Sequence, residues 1–321
     1  MSTIFPDKSG KPTLLLPQAL RPGDKVGLAA PASCFDLGLY ERGLSVLTRM
    51  GFSVRVPEGV FRRSGYLAGS DEERAQVFMD LWDDPEIRAV FCIRGGYGSM
   101  RLLPLLDPAR IRKNPKIFMG FSDLTAFLVF LVQKCGVAAF HGPVLTALAG
   151  CADPAAEISG VLSALSPEKA LVLRPERPVV LHPGSAEGAV LGGNLTILTH
   201  LLGTPYAPDL AGAILFIEDI KEAPYRVDRM LTHMRLAGAL EGLAGVAVGT
   251  FDGCGAEEGV LAEIKKAFDG MNVPVLAGFP SGHGPRNTAF PVGIHAVLDA
   301  GEGTLSFSRP ATRSAGPESA Q

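Results

Sequence analysis

Several familiar features are missing from this 321-residue sequence, and each absence removes a class of protein. The five cysteines, Cys34, Cys92, Cys135, Cys151 and Cys254, are odd in number, widely scattered and never spaced Cys-x-x-Cys. That argues against a disulfide framework and a thiolate zinc site, and suggests small buried hydrophobes in a reducing compartment. No His-Glu-x-x-His or His-x-x-x-His occurs, so no catalytic metal is expected. A phosphate-binding G-x-x-x-x-G-K-[ST] is absent, and a G-x-G-x-x-G starting at Gly96 would need glycine where Arg101 stands. No apolar run approaches the roughly 20 residues of a membrane span. The opening MSTIFPDKSGKPT lacks an apolar stretch behind a basic start, so no secretory signal is expected and the expected location is the cytoplasm. Excess charge is lacking too: 30 basic against 33 acidic residues leave a net charge of −3, unlike a general nucleic-acid binder.

Apolar residues make up 47% of the chain and charged residues 20%, the balance of a globular protein with a sizeable core. The 38 glycines and 25 prolines exceed the usual share of about 12% for the pair. With no low-complexity run to absorb them, they imply many tight turns.

Short apolar runs alternate with longer amphipathic ones. Strands are predicted at 25–30, 52–56, 88–93, 116–120 and 137–140. Helices are predicted at 37–50, from the Ser70/Glu73 capping box to about Trp82, and at 124–134. Continuously apolar strands separated by helices indicate a parallel sheet covered on both faces. From 151 to 185 the pattern weakens among several prolines, and an interdomain connection is expected. Beyond it come a helix after Gly192-Gly193-Asn194, strands at 213–217 and 245–249, helices at 225–236 and 257–268, and late strands near 274–277 and 296–298. The expected division is a leader (1–20), an N-terminal α/β domain (21–150), the connection (151–185), a C-terminal domain (186–308) and a solvated tail (309–321).

Ligands of open α/β sheets bind beyond the carboxyl ends of the strands, where several polar residues fall. Arg94 and the Gly95-Gly96 loop follow one predicted strand, Ser122 another and His141 a third. Glu218 and His283 follow strands of the second half. Ser122 lies at a strand–turn–helix junction resembling a nucleophile elbow, whose following N–H groups can hold an oxyanion. Ser122 or Asp123 as a plain helix N-cap is the alternative. His141 either lines the site or hydrogen-bonds backbone, and Glu218 either joins an interdomain ion pair or orients an imidazole. The glycine loop is bare backbone approaching a substrate, or a simple tight turn.

The ordered blocks GDKVGLAAPAS, GYLAGSDEERA, IRGGYGSMRLLPLLD, NPKIFMGFSDLTA, FHGP, GGNL, LLGTPYAPDLAG, ILFIEDIKEAPYRVDRML and PSGHGPRN together resemble the LD-carboxypeptidases. These are the muramoyltetrapeptide carboxypeptidase family of serine peptidases, which also holds the microcin-C immunity hydrolases. The likeness runs from about Gly23 to Leu298. It implies an α/β fold: an N-terminal doubly wound parallel sheet of flavodoxin or class I amidotransferase character, and a smaller C-terminal α/β domain with a barrel-like sheet. It implies a triad of Ser122, His283 and Glu218, with the oxyanion held by the N–H groups of Asp123 and of Gly95 or Gly96. No cofactor or metal is implied. The implied partner is a small peptide, the murein tetrapeptide of peptidoglycan recycling cut before its terminal D-alanine, and a homodimer is usual. Neither nucleic acid nor membrane is an expected partner. Arg94 is a candidate for a substrate carboxylate, and Asn194, Arg286 and Asn287 are further lining candidates. Two alternatives stand beside this: a microcin-immunity type hydrolase of peptidyl-nucleotide amides or acyl-adenylates, and a non-catalytic two-domain binding protein. The peptidase requires a hydroxyl from the first half and an imidazole–carboxylate pair from the second to meet in one crevice.

Overall fold

The computed structural model describes residues 14–151 and 153–314. Two sheets organise them. The first draws on β1 (Lys25–Ala29), β2 (Ser53–Arg55), β3 (Ile87–Cys92), β4 (Ile117–Gly120) and β5 (Ala139–His141). Its order is β12-β5-β4-β3-β1-β2, where β12 is Phe290–Val292. Strands β1 to β5 are mutually parallel, in the flavodoxin-like order. Their unbroken apolar runs, KVGLA and IFMG among them, suit strands buried on both faces.

The second sheet contains β6 (Val172–Leu173), β7 (Val179–His182), β8 (Ser185–Asn194), β9 (Ala213–Ile220), β10 (Gly245–Asp252), β11 (Val275–His283), β13 (His295–Asp299) and β14 (Thr304–Phe307). Its order is β6-β14-β13-β8-β9-β10-β11-β7, with a parallel centre from β8 to β11 and antiparallel flanks.

The helices are α1 (Leu37–Arg49), α2 (Asp71–Asp83), α3 (Pro108–Lys113), α4 (Thr125–Gln133), α5 (Leu145–Leu148), α6 (Pro154–Ala164), α7 (Leu195–Leu201), α8 (Pro224–Leu236) and α9 (Glu257–Ala267). The predicted capping box starts α2: Ser70 Oγ accepts the Glu73 N–H at 3.2 Å, and the Glu73 carboxylate accepts the Ser70 N–H at 2.9 Å. Helix α4, TAFLVFLVQ, is buried at every position because it packs against β5 of the first sheet and β8 and α7 of the second lobe. The lobes are also hydrogen-bonded there, the Asn194 N–H donating to Thr125 Oγ1 at 2.9 Å and Gln133 Nε2 to the Asp209 carbonyl at 2.6 Å.

Three segments depart from expectation. The 151–185 stretch is structured: it holds α6, capped by Asp153 with Pro154 in the first turn, and the two edge strands of the second sheet. Chain from the second half returns to the first sheet as β12, antiparallel to β5. The expected leader and tail lie partly outside the described residues. Within them, Leu15 bridges Val137, and the Ala19 N–H donates to the Arg313 carbonyl at 2.9 Å, so both segments are tied to the body. No helix among the described residues is long and apolar enough to cross a membrane.

Candidate active site

Strand β4 ends at Gly120, Phe121 stays extended, and the chain reverses sharply at Ser122, whose φ is +65°. Left-handed backbone is costly for a residue bearing a Cβ, and here it lifts the hydroxyl clear of the turn that leads into α4. Neither Ser122 nor Asp123 caps that helix: Ser122 Oγ lies 3.0 Å from His283 Nε2, and the Asp123 carboxylate accepts the Ser99 N–H at 2.8 Å.

His283 ends β11, and Glu218 lies near the C-terminal end of β9. His283 Nδ1 is 2.7 Å from Glu218 Oε2, so Ser122, His283 and Glu218 form one hydrogen-bonded line across the two lobes. Glu218 is fully buried, while the His283 side chain is 14% exposed, enough to face a ligand. Burial alone would lower the His283 pKa. The hydrogen bond and charge of Glu218, helped by Asp219 and Asp252, outweigh it and raise the pKa above the ordinary histidine value. An imidazole so held can take a proton from the Ser122 hydroxyl and is stabilised once charged.

Glycine permits two close approaches here. A Cβ on Gly95 would stand 3.0 Å from Ser122 Cβ and 3.2 Å from its Oγ, so this loop borders the hydroxyl with bare backbone. At Gly282, with φ +112°, a Cβ would fall 2.6 Å from Glu218 Oε2. The Gly282 N–H donates to Asn287 Oδ1 at 2.8 Å, which folds the following loop back against β11.

The remaining candidates divide. Gly96 has φ +101° and packs on Ser33. Arg94 is exposed and donates through Nη1 to the Cys34 carbonyl at 2.7 Å. Arg286, also exposed, pairs with Glu176. Asn194 is buried, and both ends of its amide are engaged: Nδ2 donates to Asp219 Oδ1 at 2.9 Å and Oδ1 accepts the Ile197 N–H at 3.2 Å. Asn194 therefore caps α7 instead of facing a ligand. Asp219 also receives Thr196 Oγ1 at 2.8 Å, so adjacent carboxylates serve different ends, Glu218 the imidazole and Asp219 the start of α7.

His141 is fully buried and lines no open surface. Its ring stacks on Phe290 at 4.8 Å with Phe216 and Phe121 nearby, and neither ring nitrogen has a hydrogen-bond partner among the described residues. Burial lowers its pKa to about 4, against the pull of Glu218, so the ring is neutral. Among the described residues no three His, Cys, Asp or Glu side chains gather where they could hold a metal ion.

Two family models match the chain: the LD-carboxypeptidase N-terminal domain over residues 26–142 and the C-terminal domain over 187–298. A putative carboxypeptidase of Synechocystis is 40% identical over 91% of this chain and 97% of its own length. The probable murein peptide carboxypeptidase of Bacillus subtilis is 37% identical over 90% and 92%. The murein tetrapeptide carboxypeptidase of Pseudomonas aeruginosa is 35% identical over 86% and 93%. Among solved structures, MccF bound to glutamyl sulfamoyl guanosine superposes with a TM-score of 0.85 at 26% identity, covering 93% of this chain and 99% of that one. The muramoyltetrapeptide carboxypeptidase of Oxalobacter formigenes does so at 0.78 and 31%, covering 89% and 99%. With models matching both lobes and relatives matching along nearly their whole length, this chain belongs to the LD-carboxypeptidase family of serine-type hydrolases.

Proposed function

We propose that this carboxypeptidase removes the terminal D-alanine of a murein tetrapeptide through Ser122, His283 and Glu218. The observation that carries the reading is the 3.0 Å contact between Ser122 Oγ and His283 Nε2, made by residues 161 positions apart. Relatives named for murein peptides supply the substrate class.

In this reading Ser122 Oγ attacks the carbonyl carbon before the D-alanine nitrogen while its proton passes to His283 Nε2. Glu218 holds the tautomer and stabilises the imidazolium. The oxyanion lies against the N–H groups of Asp123 and of Gly95 or Gly96. As the C–N bond breaks, His283 gives the proton to the leaving amine. Water then attacks the acyl-enzyme, its proton going to His283 and onward to Ser122, which releases the shortened peptide. Arg94, exposed where the glycine loop begins, takes a substrate carboxylate. The reading includes a cytoplasmic location and a homodimer, the latter checked by sedimentation velocity.

A second reading, hydrolysis of an acyl-nucleotide amide, is favoured by one local feature besides the MccF likeness. Tyr66 and Tyr97 are 59% and 51% exposed, with ring centroids 5.7 Å apart, beside the glycine loop, and could stack a base. Trp82 cannot, being buried with its N–H on the Ile111 carbonyl. Incubating the enzyme separately with tetrapeptide and with glutamyl sulfamoyl adenosine separates them. D-alanine release with the sulfamoyl adenosine intact supports the first reading, and the opposite pattern supports the second.

A further inference from the structure

Asp123 carries more than a backbone donor. It is 3% exposed, and its carboxylate turns away from the crevice toward the far end of the glycine loop. There Oδ2 accepts the Ser99 N–H at 2.8 Å, while Ser99 Oγ returns a hydrogen bond to the Asp123 carbonyl at 2.6 Å. These reciprocal bonds join the turn after β4, which carries Ser122, to the loop after β3, which carries Gly95 and Gly96. The loop is held elsewhere too. Arg74, 2% exposed, donates to the Gly98 carbonyl at 3.0 Å and to the Pro31 carbonyl, and it pairs with Asp71. On the other side the Tyr97 N–H donates to Ser33 Oγ at 3.0 Å and the Ser33 N–H to the Gly95 carbonyl at 3.3 Å. Gly95 to Ser99 is thus pinned at both ends, and the Asp123 carboxylate, meeting the backbone of Ser99 and Gly98, ties it to the nucleophile's own turn.

We infer that the Asp123 side chain, with Ser99, is a positioning device that sets the spacing between the two N–H donors of the oxyanion pocket. The inference rests on the oxyanion reading above. A donor pocket stabilises charge only where its N–H groups meet the developing oxyanion at hydrogen-bond distance. Its halves come here from separate loops, so a bond between those loops fixes their separation before substrate arrives. A buried carboxylate is a costly way to join two loops, since burial raises the Asp123 pKa against the opposing Ser99 hydrogen bonds. Positional control explains why this group, and not an apolar contact, stands there.

Ser99→Ala removes the hydroxyl bond with one atom, and Asp123→Asn weakens the carboxylate's acceptance without changing its size. Each is assayed on tetrapeptide for kcat and KM, for binding of the tripeptide product, and for inhibition by a peptide boronic acid with boron in place of the scissile carbonyl carbon. Expected is a kcat loss of about 10- to 100-fold with a matching weakening of the boronate, since losing a donor outright costs roughly 100- to 1,000-fold. KM and tripeptide affinity should stay within about threefold, and the acid limb of the pH profile should not move, because His283 and Glu218 are untouched. A lower melting temperature with unchanged kcat and boronate affinity would show that the pair is only structural, and would overturn the inference. If Ser122→Ala keeps wild-type activity, or the wild type does not bind the boronate, the oxyanion reading falls and the inference with it. Should Asp123→Asn fail to fold, Asp123→Glu, which keeps the charge but lengthens the arm that meets the Ser99 N–H, takes its place in the same assays.

Discussion

Glu218 Oε2 accepts two hydrogen bonds from the single residue His283, from its backbone N–H at 3.0 Å and from ring Nδ1 at 2.7 Å. The carboxylate therefore fixes both where the strand end lies and how the imidazole is turned upon it.

That double contact sets a pH dependence. His283 acts as a base only when neutral, and Glu218 raises its pKa, so kcat/KM should fall with decreasing pH along a limb centred above the ordinary histidine value. In Glu218→Gln the charge is lost, the limb should move to lower pH, and kcat should drop about 1,000-fold or more. Profiles of both enzymes on tetrapeptide check this. An unmoved limb would mean that another group sets it.

Gly95→Ala tests the approach of the glycine loop to the nucleophile. The new methyl meets Ser122 at 3.0 Å, so either the hydroxyl or the loop must shift. Activity should fall by up to about 100-fold, the cost of a misplacement of about 1 Å in a positioned site, since the contact asks Ser122 to give by a few tenths of an ångström. The melting temperature should change by only a few degrees.

By sequence Asn194 is a candidate for lining the site. With its amide spent on Asp219 and on the start of α7, Asn194→Ala should destabilise the protein by about 1–3 kcal/mol. KM of the folded enzyme should hold. Denaturant midpoints and steady-state kinetics separate the two effects, and a raised KM at unchanged stability would restore the lining role.

His141 should make the protein sensitive to acid. Its pKa is about 4 in the folded protein and near 6.5 when unfolded, so between those values the unfolded chain binds more protons and stability falls as pH falls. The contribution, complete above the unfolded pKa, amounts to up to about 3 kcal/mol lost by pH 4. Asp123, Asp219 and Glu157 oppose it, because burial raises their pKa values and the folded state gains their protons on acidification. The His141 share is therefore read as a difference: His141→Phe, which keeps a ring against Phe290, should flatten the slope of stability against pH.

Much of this architecture is legible in sequence, for physical reasons. Apolar strands such as RAVFCI and AILFI stand out because both their faces are covered, and the Ser70/Glu73 box announces its helix. Strand β12 escapes because Phe-Pro-Val is short and proline normally marks a loop; it is tolerated on an edge strand. Strand β8 reads as a glycine-rich lead-in to a helix, though its glycines admit close neighbours. In 151–185 the prolines signal a linker, yet Asp153-Pro154 is a cap followed by a first-turn proline.

Strand ends mark Ser122, Glu218 and His283 as candidates because polar side chains resume there, and it is the family resemblance, not the pattern, that singles them out as a triad. What pattern cannot carry is direction. Asp123 turns to Ser99, Asp219 to α7, and His141 into an aromatic box, although each lies beside or among residues read for the site.

The central claim is that a hydroxyl on one lobe is activated by an imidazole–carboxylate pair on the other. Phosphonylation by a fluorophosphonate, mapped by peptide mass spectrometry, measures this directly. A single adduct on Ser122, formed at least about 1,000-fold more slowly in His283→Ala, is the expected result. An adduct on another residue, or equal rates in the two proteins, would contradict it.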